Sequence, residues 1–524
     1  MITTPSRAEF TLARGPDGVL PRRRRTKFAH VLAASLRKQI LSGELAVDQR
    51  LPSEAGLIET LQVSRETLRE ALRILESESL IEIRRGRGGG AIVRRPRLDS
   101  VSRYVGLLLQ VRGATLADLE EARTVVEPSL AELAVRRSSD DELQDLVELH
   151  RQEATAVGDA QRFMALAASF EGAVADLGRN CSGAVFSRVL RDIHRGDMLA
   201  DPGELSADEL ASLAPTVLAG HEAYLEAARR RDAGKAKDAW REHLLATNDV
   251  LRANSARRGR RPIDMVPMWT SVSTDPEGAQ RQGAAMSVAA DIRSRIADGR
   301  LRDGDRLPPL LDLAKNFGVS RPTLREALRI LEMELLLDMR PGDRGGASVR
   351  HPSSDVAAQM VARVLEARQT TIADFAHAIQ MMEPPMMELA AERRGPADLS
   401  MLRRVESELE ACDDDIERFV GTWRRGVIVA VASARNPVLV TIAEMLQWVC
   451  VGIGATLVET PRGARGYQPG ERQRVQEHFS EFVAALAARH AAEARAVWAE
   501  FVRPASVFDE ASELGHRLII DLIE

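Results

Sequence analysis

The chain is written twice, and that constrains its fold more than any other feature. "VSRETLREALRILE" (Val63–Glu76) returns as "VSRPTLREALRILE" (Val319–Glu332), changed only at Glu66 against Pro322 and displaced by 256 residues. At the same offset "ILSGELAVDQRLPSE" (Ile40–Glu54) matches "IADGRLRDGDRLPPL" (Ile296–Leu310). "VVEPSLAELAVRR" (Val125–Arg137) matches "MMEPPMMELAAERR" (Met381–Arg394) less closely, with Glu127 answering Glu383. Phe163 and Asn180 answer Phe419 and Asn436 at 256, whereas Trp240 answers Trp498 at 258. About two residues were therefore added before Trp498, and the chain is two units of roughly 230 residues rather than a solenoid of short repeats.

Each unit changes texture along its length. Its first seventy or so residues mix short helical stretches with an Arg/Gly-rich tip, "EIRRGRGGGAIVRR" (Glu82–Arg95), whose apolar ends around a glycine centre predict a small β-hairpin. After Asp99 the spacing is helical throughout, as in Leu116, Leu119, Ala122 and Val126. The fold class expected is mainly α: two tandem units, each a winged helix-turn-helix followed by an all-helical bundle. The expected boundaries are a flexible basic N-terminal arm (1–27), a first head (28–97), a first bundle (98–254), a linker (255–283), a second head (284–352) and a second bundle (353–524). The linker assignment rests on the Arg, Pro, Gly and Ser content of "RRGRRPIDMVPMWTSVSTDPEGAQRQG" and its lack of helical period.

No apolar run approaches the ~20 residues of a membrane span; the longest, "GVIVAVA" from Gly426, suits one buried helical segment. No apolar stretch precedes "PRRRR", so a secretory signal is not expected. Cys181, Cys412 and Cys450 are far apart and without CxxC spacing, which fits a reducing cytoplasm. Net charge is −5, but residues 21–97 hold 17 Lys/Arg against 9 Asp/Glu, and residues 285–352 hold 12 against 10. A basic module on an acidic chain points to nucleic acid more directly than the overall charge does.

The repeated stretch explains that charge. Ser64 suits an N-cap. Leu68, Leu72 and Leu75 form one apolar stripe, widened by Ala71 and Ile74, and Arg65, Thr67, Arg69 and Arg73 are left to the other faces. Upstream, "LPSEAGLIETLQ" (Leu51–Gln62) is a second short amphipathic helix with Ser53 as its cap. Two helices joined by a tight turn, the second opening on an Arg/Thr cluster, describe a helix-turn-helix whose second helix enters the major groove. There Arg can bond guanine bidentately, and Arg or Thr can grip phosphate.

On these residues the chain resembles the GntR family of bacterial transcription regulators, in the FadR-like subfamily whose effector domain is the all-helical FCD domain. The resemblance covers both units. It implies DNA contacts from Ser64, Arg65, Thr67 and Arg69, with Arg85 and Gly86 in the wing, and from Ser320, Arg321, Thr323 and Arg325 in the second unit. The second head departs further: "LPSE" has become "LPPL", and Pro341 and Asp343 stand where the first wing has Arg85 and Arg87. Acid beside phosphate is unfavourable, so the second head is expected to bind DNA more weakly. Family members usually carry one copy per chain and pair as homodimers on a palindromic operator.

FCD domains commonly hold a divalent metal with one Asp and three His. Carried onto the first unit, these positions are Ala167, Glu171, His221 and His243, so that Glu171, His221 and His243 could ligate a zinc-like ion. In the second unit they read Trp423, Val427, Phe479 and Phe501, with His478 one residue out of register. That cavity is expected to be filled, or remodelled for an apolar ligand. The alternative in the first unit is direct binding of an organic acid by the same residues, with Arg123 as a carboxylate clamp; Ile379 replaces it in the second.

The expectation is a cytoplasmic regulator of double-stranded DNA, a repressor, tuned by a small organic or apolar acid in the helical domains. It would act as a covalent pseudo-dimer on an imperfect palindrome. A dimer of chains with four heads is the alternative assembly, and an architectural co-regulator with degenerate bundles is the alternative function. A flexible linker would span about 30 Å, close to the ~34 Å between half-sites one turn apart. The sequence lacks a nucleophile elbow, HExxH or phosphate loop, so an enzyme is not expected.

Overall fold

The structure is a computed structural model. It describes residues 25–41, 43–77, 80–84, 90–94, 98–198, 207–254, 262–265, 279–339, 346–412, 415–458, 469–503, 512–513 and 515–519. The basic arm up to residue 24, the wing-tip residues Arg85, Gly86, Arg87, Pro341 and Asp343, and the linker stretch 266–278 lie outside the described residues. Among the described residues two compact units emerge, one of residues 25–94 with 362–369 and the other of 98–361 with 370–519.

The first head comprises α1 (Arg25–Leu41), α2 (Glu54–Leu61), α3 (Arg65–Ser77) and strands β1 (Ile81–Arg84) and β2 (Gly90–Val93). Ser53 caps α2 by accepting from the Gly56 N–H, and Ser64 caps α3 by accepting from the Thr67 N–H. Leu68, Ala71 and Leu75 are wholly buried, as the apolar stripe requires. β1 and β2 pair antiparallel from Ile81↔Val93 to Arg84↔Gly90, and an extra bridge joins Arg50 to Ile92.

The second unit begins with the first bundle: α4 (Leu98–Val111), α5 (Leu116–Arg137), α6 (Asp140–Thr155), α7 (Ala160–Leu177), α8 (Cys181–Met198), α9 (Ala207–Arg229) and α10 (Ala233–Asn254). The second head follows, with α11 (Ala279–Ala297), α12 (Leu310–Phe317), α13 (Arg321–Met333), β3 (Leu337–Met339) and β4 (Ala347–Val349). The second bundle is α14 (Ser354–Ala367), α15 (Ile372–Arg393), α16 (Pro396–Glu410), α17 (Ile416–Ala432), α18 (Pro437–Val458), α19 (Pro469–Ala488) and α20 (Ala491–Phe501). Leu324, Ala327 and Leu331 repeat the burial of the first head, and Arg306↔Ser348 repeats its extra bridge. "GVIVAVA" lies within α17, and no helix among the described residues is long and apolar enough to cross a membrane.

Part of the expected linker is instead built into the first bundle. Ile263 donates its N–H to the Ala114 carbonyl at 2.9 Å, as Ile519 does to Thr370 at 3.0 Å at the end of the second bundle. Ile263 and Met265 are fully buried, and a Cβ at Gly106 on α4 would collide with the Met265 side chain. Burying these two side chains favours docking over a free coil. Helix α11 then starts at Ala279, inside the segment expected to be linker.

The two bundles meet through equivalent elements, α5 against α15 and α18, and α15 against α8. Asn180 Nδ2 donates to the Asp374 carbonyl at 2.8 Å, and Asn436 Nδ2 donates to the Asp118 carbonyl at 2.9 Å. These are one contact made twice, with the partners exchanged. Arg137 likewise meets His377 at 3.3 Å, and Arg393 pairs with Glu121. Such reciprocity is what a two-fold interface demands.

The pairing is not perfectly symmetric. The Asp374 carboxylate crosses to the start of α8, accepting from the N–H groups of Cys181 (2.7 Å) and Ser182 (2.9 Å) and from the Ser182 hydroxyl. An acidic group there satisfies free donors and the positive helix end. On the opposite side Pro437 replaces Cys181 and has no N–H to give. Asp118 turns back to accept from the N–H and hydroxyl of Thr115, closing a capping box on its own helix.

Candidate DNA-reading heads and effector cavity

In the first head Ser64, Arg65, Thr67 and Arg69 lie together at the start of α3. The Ser64 and Thr67 hydroxyls share a 2.8 Å hydrogen bond. Arg69 Nε donates to Glu54 Oε1 at 2.6 Å, and Arg65 Nε lies 3.5 Å from the same oxygen. In the second head Ser320 and Thr323 repeat the hydroxyl bond at 2.7 Å. Leu310 replaces Glu54, and among the described residues neither Arg321 nor Arg325 has an ion-pair partner.

The first bundle gathers Arg123, Glu171, His221 and His243 from four helices into one polar cluster. Arg123 on α5 holds Glu127 at 2.8 Å and Glu171 at 2.7 Å. Glu171 on α7 has its other oxygen 3.8 Å from His243 Nε2 on α10. Its carboxyl would be raised by burial, yet Arg123, His243 and Arg191 hold it well below the usual range. Burial pushes the His243 imidazole below its ordinary value, partly offset by Glu171, which favours the neutral ring that can donate a lone pair.

His221 on α9 presents Nδ1 to Glu153 Oε2 at 3.0 Å, and His150 Nδ1 meets the same oxygen at 3.0 Å. The Glu153 carboxyl is fully buried; burial would raise it, but these two hydrogen bonds bring it below the usual value. His221 Nε2 and both ring nitrogens of His243 are buried without a hydrogen bond among the described residues. Unpartnered buried nitrogens cost free energy unless something binds them. Ligand atoms of Glu171, His221 and His243 all lie within 4.8 Å of one another, so this Glu/His/His cluster could hold a metal ion. The carboxylate behind His221 fixes which nitrogen faces the cluster, the usual support for a ligating histidine.

Several contributors were missing from the sequence reading. Glu153 was not foreseen because its partner His221 lies 68 residues away. Arg191 on α8 donates to the Glu171 carbonyl at 2.7 Å. Phe170 stacks on His221 with centroids 4.1 Å apart. Gly220 is required because a Cβ there would run into the His243 ring. The adjacency of Gly220 and His221 in "AGHE" was the one available signal.

The second bundle fills the same place with carbon. Trp423 lies against Trp498 (5.5 Å), Phe501 (4.4 Å) and Phe479 (5.8 Å). Gly426 occupies the position of Phe170, and a Cβ there would come within 3.1 Å of the Phe479 ring. Ring volume has thus moved from one helix to its neighbour, a swap that conserves packing. Glu383, matching Glu127, has Ile379 in place of an arginine. It accepts instead from Trp498 Nε1 and Gln447 Nε2, both at 2.9 Å, and burial pushes its carboxyl up to about 7.

The model for bacterial regulatory proteins of the gntR family matches residues 28–90 and 284–345, and the FCD domain model matches 118–246 and 374–503. The transcriptional repressor NanR of Klebsiella aerogenes is 27% identical over 232 residues, 44% of this chain and 87% of the relative. The transcriptional regulator LutR of Bacillus subtilis is 27% identical over 205 residues, 38% of this chain and 90% of the relative. A solved Streptococcus agalactiae GntR structure is 26% identical and covers 42% of this chain and 99% of its own, with a TM-score of 0.33. NanR and LutR each match less than half of this chain with most of their own length. The chain belongs to the GntR family of bacterial regulatory proteins, as two FadR-like transcription regulators with FCD ligand-binding domains joined in tandem.

Proposed function

We propose that one chain performs the work of a regulator dimer: two heads (28–97 and 284–352) read one imperfect palindrome, and the first bundle senses the effector. The observation that carries this reading is the exchanged contact, Asn180 to Asp374 and Asn436 to Asp118, which pairs the two bundles as two subunits would pair. Ser64, Arg65, Thr67 and Arg69, with Arg85 and Gly86, would face one half-site, and Ser320, Arg321, Thr323 and Arg325 the other. Covalent joining raises the effective concentration of the second head, so DNA binding need not wait for dimerisation. Repression is the favoured direction, supported by NanR being named a repressor.

In the first bundle Glu171, His221 and His243 would hold a zinc-like divalent ion, and Arg123 with Arg191 would receive an organic acid. The unpartnered nitrogens of His221 and His243 support this donor set. Bound there, the ion would supply a positive centre for a carboxylate. Effector binding alters operator affinity only if it favours one arrangement of the heads over another. The filled second bundle favours a structural, non-sensing role for that half.

DNA selected from random duplexes by the full chain tests the reading. Light scattering of the complex should give one chain per duplex, and footprinting should protect two unequal half-sites. Two chains per duplex would overturn the pseudo-dimer.

A further inference from the structure

We infer that Glu54 is a positioning residue that sets how the first head reads DNA, and that Leu310 gives the second head a different base preference. The inference rests on the DNA-reading role proposed for α3 and α13. Glu54 is the first residue of α2, directly after the Ser53 cap, so its carboxylate starts from a fixed backbone at a helix end that favours negative charge. It takes the Nε edge of Arg69, with Nε at 2.6 Å and Nη2 at 3.4 Å. The other edge, Nη1 with Nη2, is left to bond guanine bidentately. The Arg65 and Arg69 side chains remain 68% and 60% exposed, so the pair orients these groups without hiding them.

The same carboxylate sets a negative charge beside the reading surface. It repels phosphate on every sequence and so weakens non-specific binding more than a correct guanine contact. The second head has neither restraint. Pro309 precedes α12 with no side-chain cap, and Leu310 and Leu311 are 37% and 58% exposed. Leu310 takes the position of Glu54 in the repeat, so Arg321 and Arg325 have a branched carbon side chain at that position in place of a carboxylate partner. That combination suits a thymine methyl adjacent to guanine. The heads would therefore differ in kind as well as strength: the first discriminates guanine sharply, and the second accepts a thymine-containing step with more help from phosphate.

Two full-chain variants test this, Glu54→Leu and Leu310→Glu, with Glu54→Gln as an intermediate. Each is used to select half-sites from random duplexes, and affinities are titrated at several salt concentrations. Glu54→Leu should lower guanine discrimination at the first half-site about tenfold, steepen the salt dependence and bring in thymine. Glu54→Gln should lie between it and the parent. Leu310→Glu should sharpen guanine selection at the second half-site and remove the thymine preference. If Glu54→Leu changes affinity equally on all sequences, with unchanged salt slope, the inference fails while the DNA-reading role stands. If the parent chain selects no sequence at all, both fail.

Discussion

The two bundles share helices, register and a buried glutamate at the same place, yet they solve the burial of that glutamate in opposite ways. In the first, Glu127 is held by Arg123, and charge spreads onward to Glu171, Arg191 and the histidines. In the second, Ile379, Gln447, Val427 and Leu409 stand where Arg123, Arg191, Glu171 and Glu153 stood, and Glu383 is met by neutral donors alone. The difference teaches that when the arginines and the second carboxylate are replaced together, the remaining buried glutamate can be met by neutral donors. An arginine deleted alone strands its carboxylates, whereas replacing all members with apolar or neutral groups is tolerated.

The largest expected effect tests that joint replacement. Arg123→Ile alone should destabilise the chain by about 3–5 kcal/mol in urea melts, because two carboxylates lose their cation. Adding Glu171→Val and Arg191→Gln should recover most of the loss. A triple variant no better than the single would break the comparison.

Glu383 gives the second bundle a pH signature of its own. Its carboxyl lies at about 7 in the fold against an ordinary 4.5. The folded chain therefore holds an extra proton between those values, so this contribution to stability is full below about 4.5 and is lost as pH rises through about 7. The change is of order 3 kcal/mol. Glu383→Gln should flatten the difference between melts at pH 5 and pH 8; an unchanged slope would show that Glu383 is not the source.

The paired tryptophans give a smaller contrast. Trp498→Phe removes a hydrogen bond to Glu383 and should cost about 1–3 kcal/mol beyond packing. Trp240→Phe removes an N–H that has no partner among the described residues and should cost less. Equal losses would count against the assignment of Trp498 as the donor. Gly220→Ala should cost about 1–3 kcal/mol by overpacking against the buried His243 ring, and by shifting that ring it should lower divalent-metal affinity about tenfold, in the range seen when support of a ligand is lost.

Much of this architecture could be read from the sequence because it depends on local signals. Ser53 and Ser64 sit at their caps, Leu68 and Leu75 lie on the buried stripe, and the offset of 256, growing to 258 before Trp498, relates the second unit to the first. For the second cavity the sequence left two outcomes open, filling or remodelling for an apolar ligand, and Trp423, Phe479 and Phe501 pack together there. What escaped were contacts without local pattern. Asp118 and Asp374 are the same residue in the same motif, yet Asp374 crosses the bundle pair to Cys181 and Ser182, whereas Pro437 and Val438 lack that N–H and that hydroxyl and Asp118 turns back to its own helix. Ile263 and Met265 were hidden in a segment whose composition is otherwise that of a linker.

On the proposed function, sensing resides in one half of a doubled chain. Titrating zinc into the metal-free full chain tests it most directly, read by calorimetry and by elemental analysis after dialysis. One ion per chain is predicted, lost in the His221→Ala/His243→Ala double variant and kept when His478, one residue out of register with the second cavity, is replaced by alanine. Two ions per chain, or one ion that survives the double variant, would contradict the account.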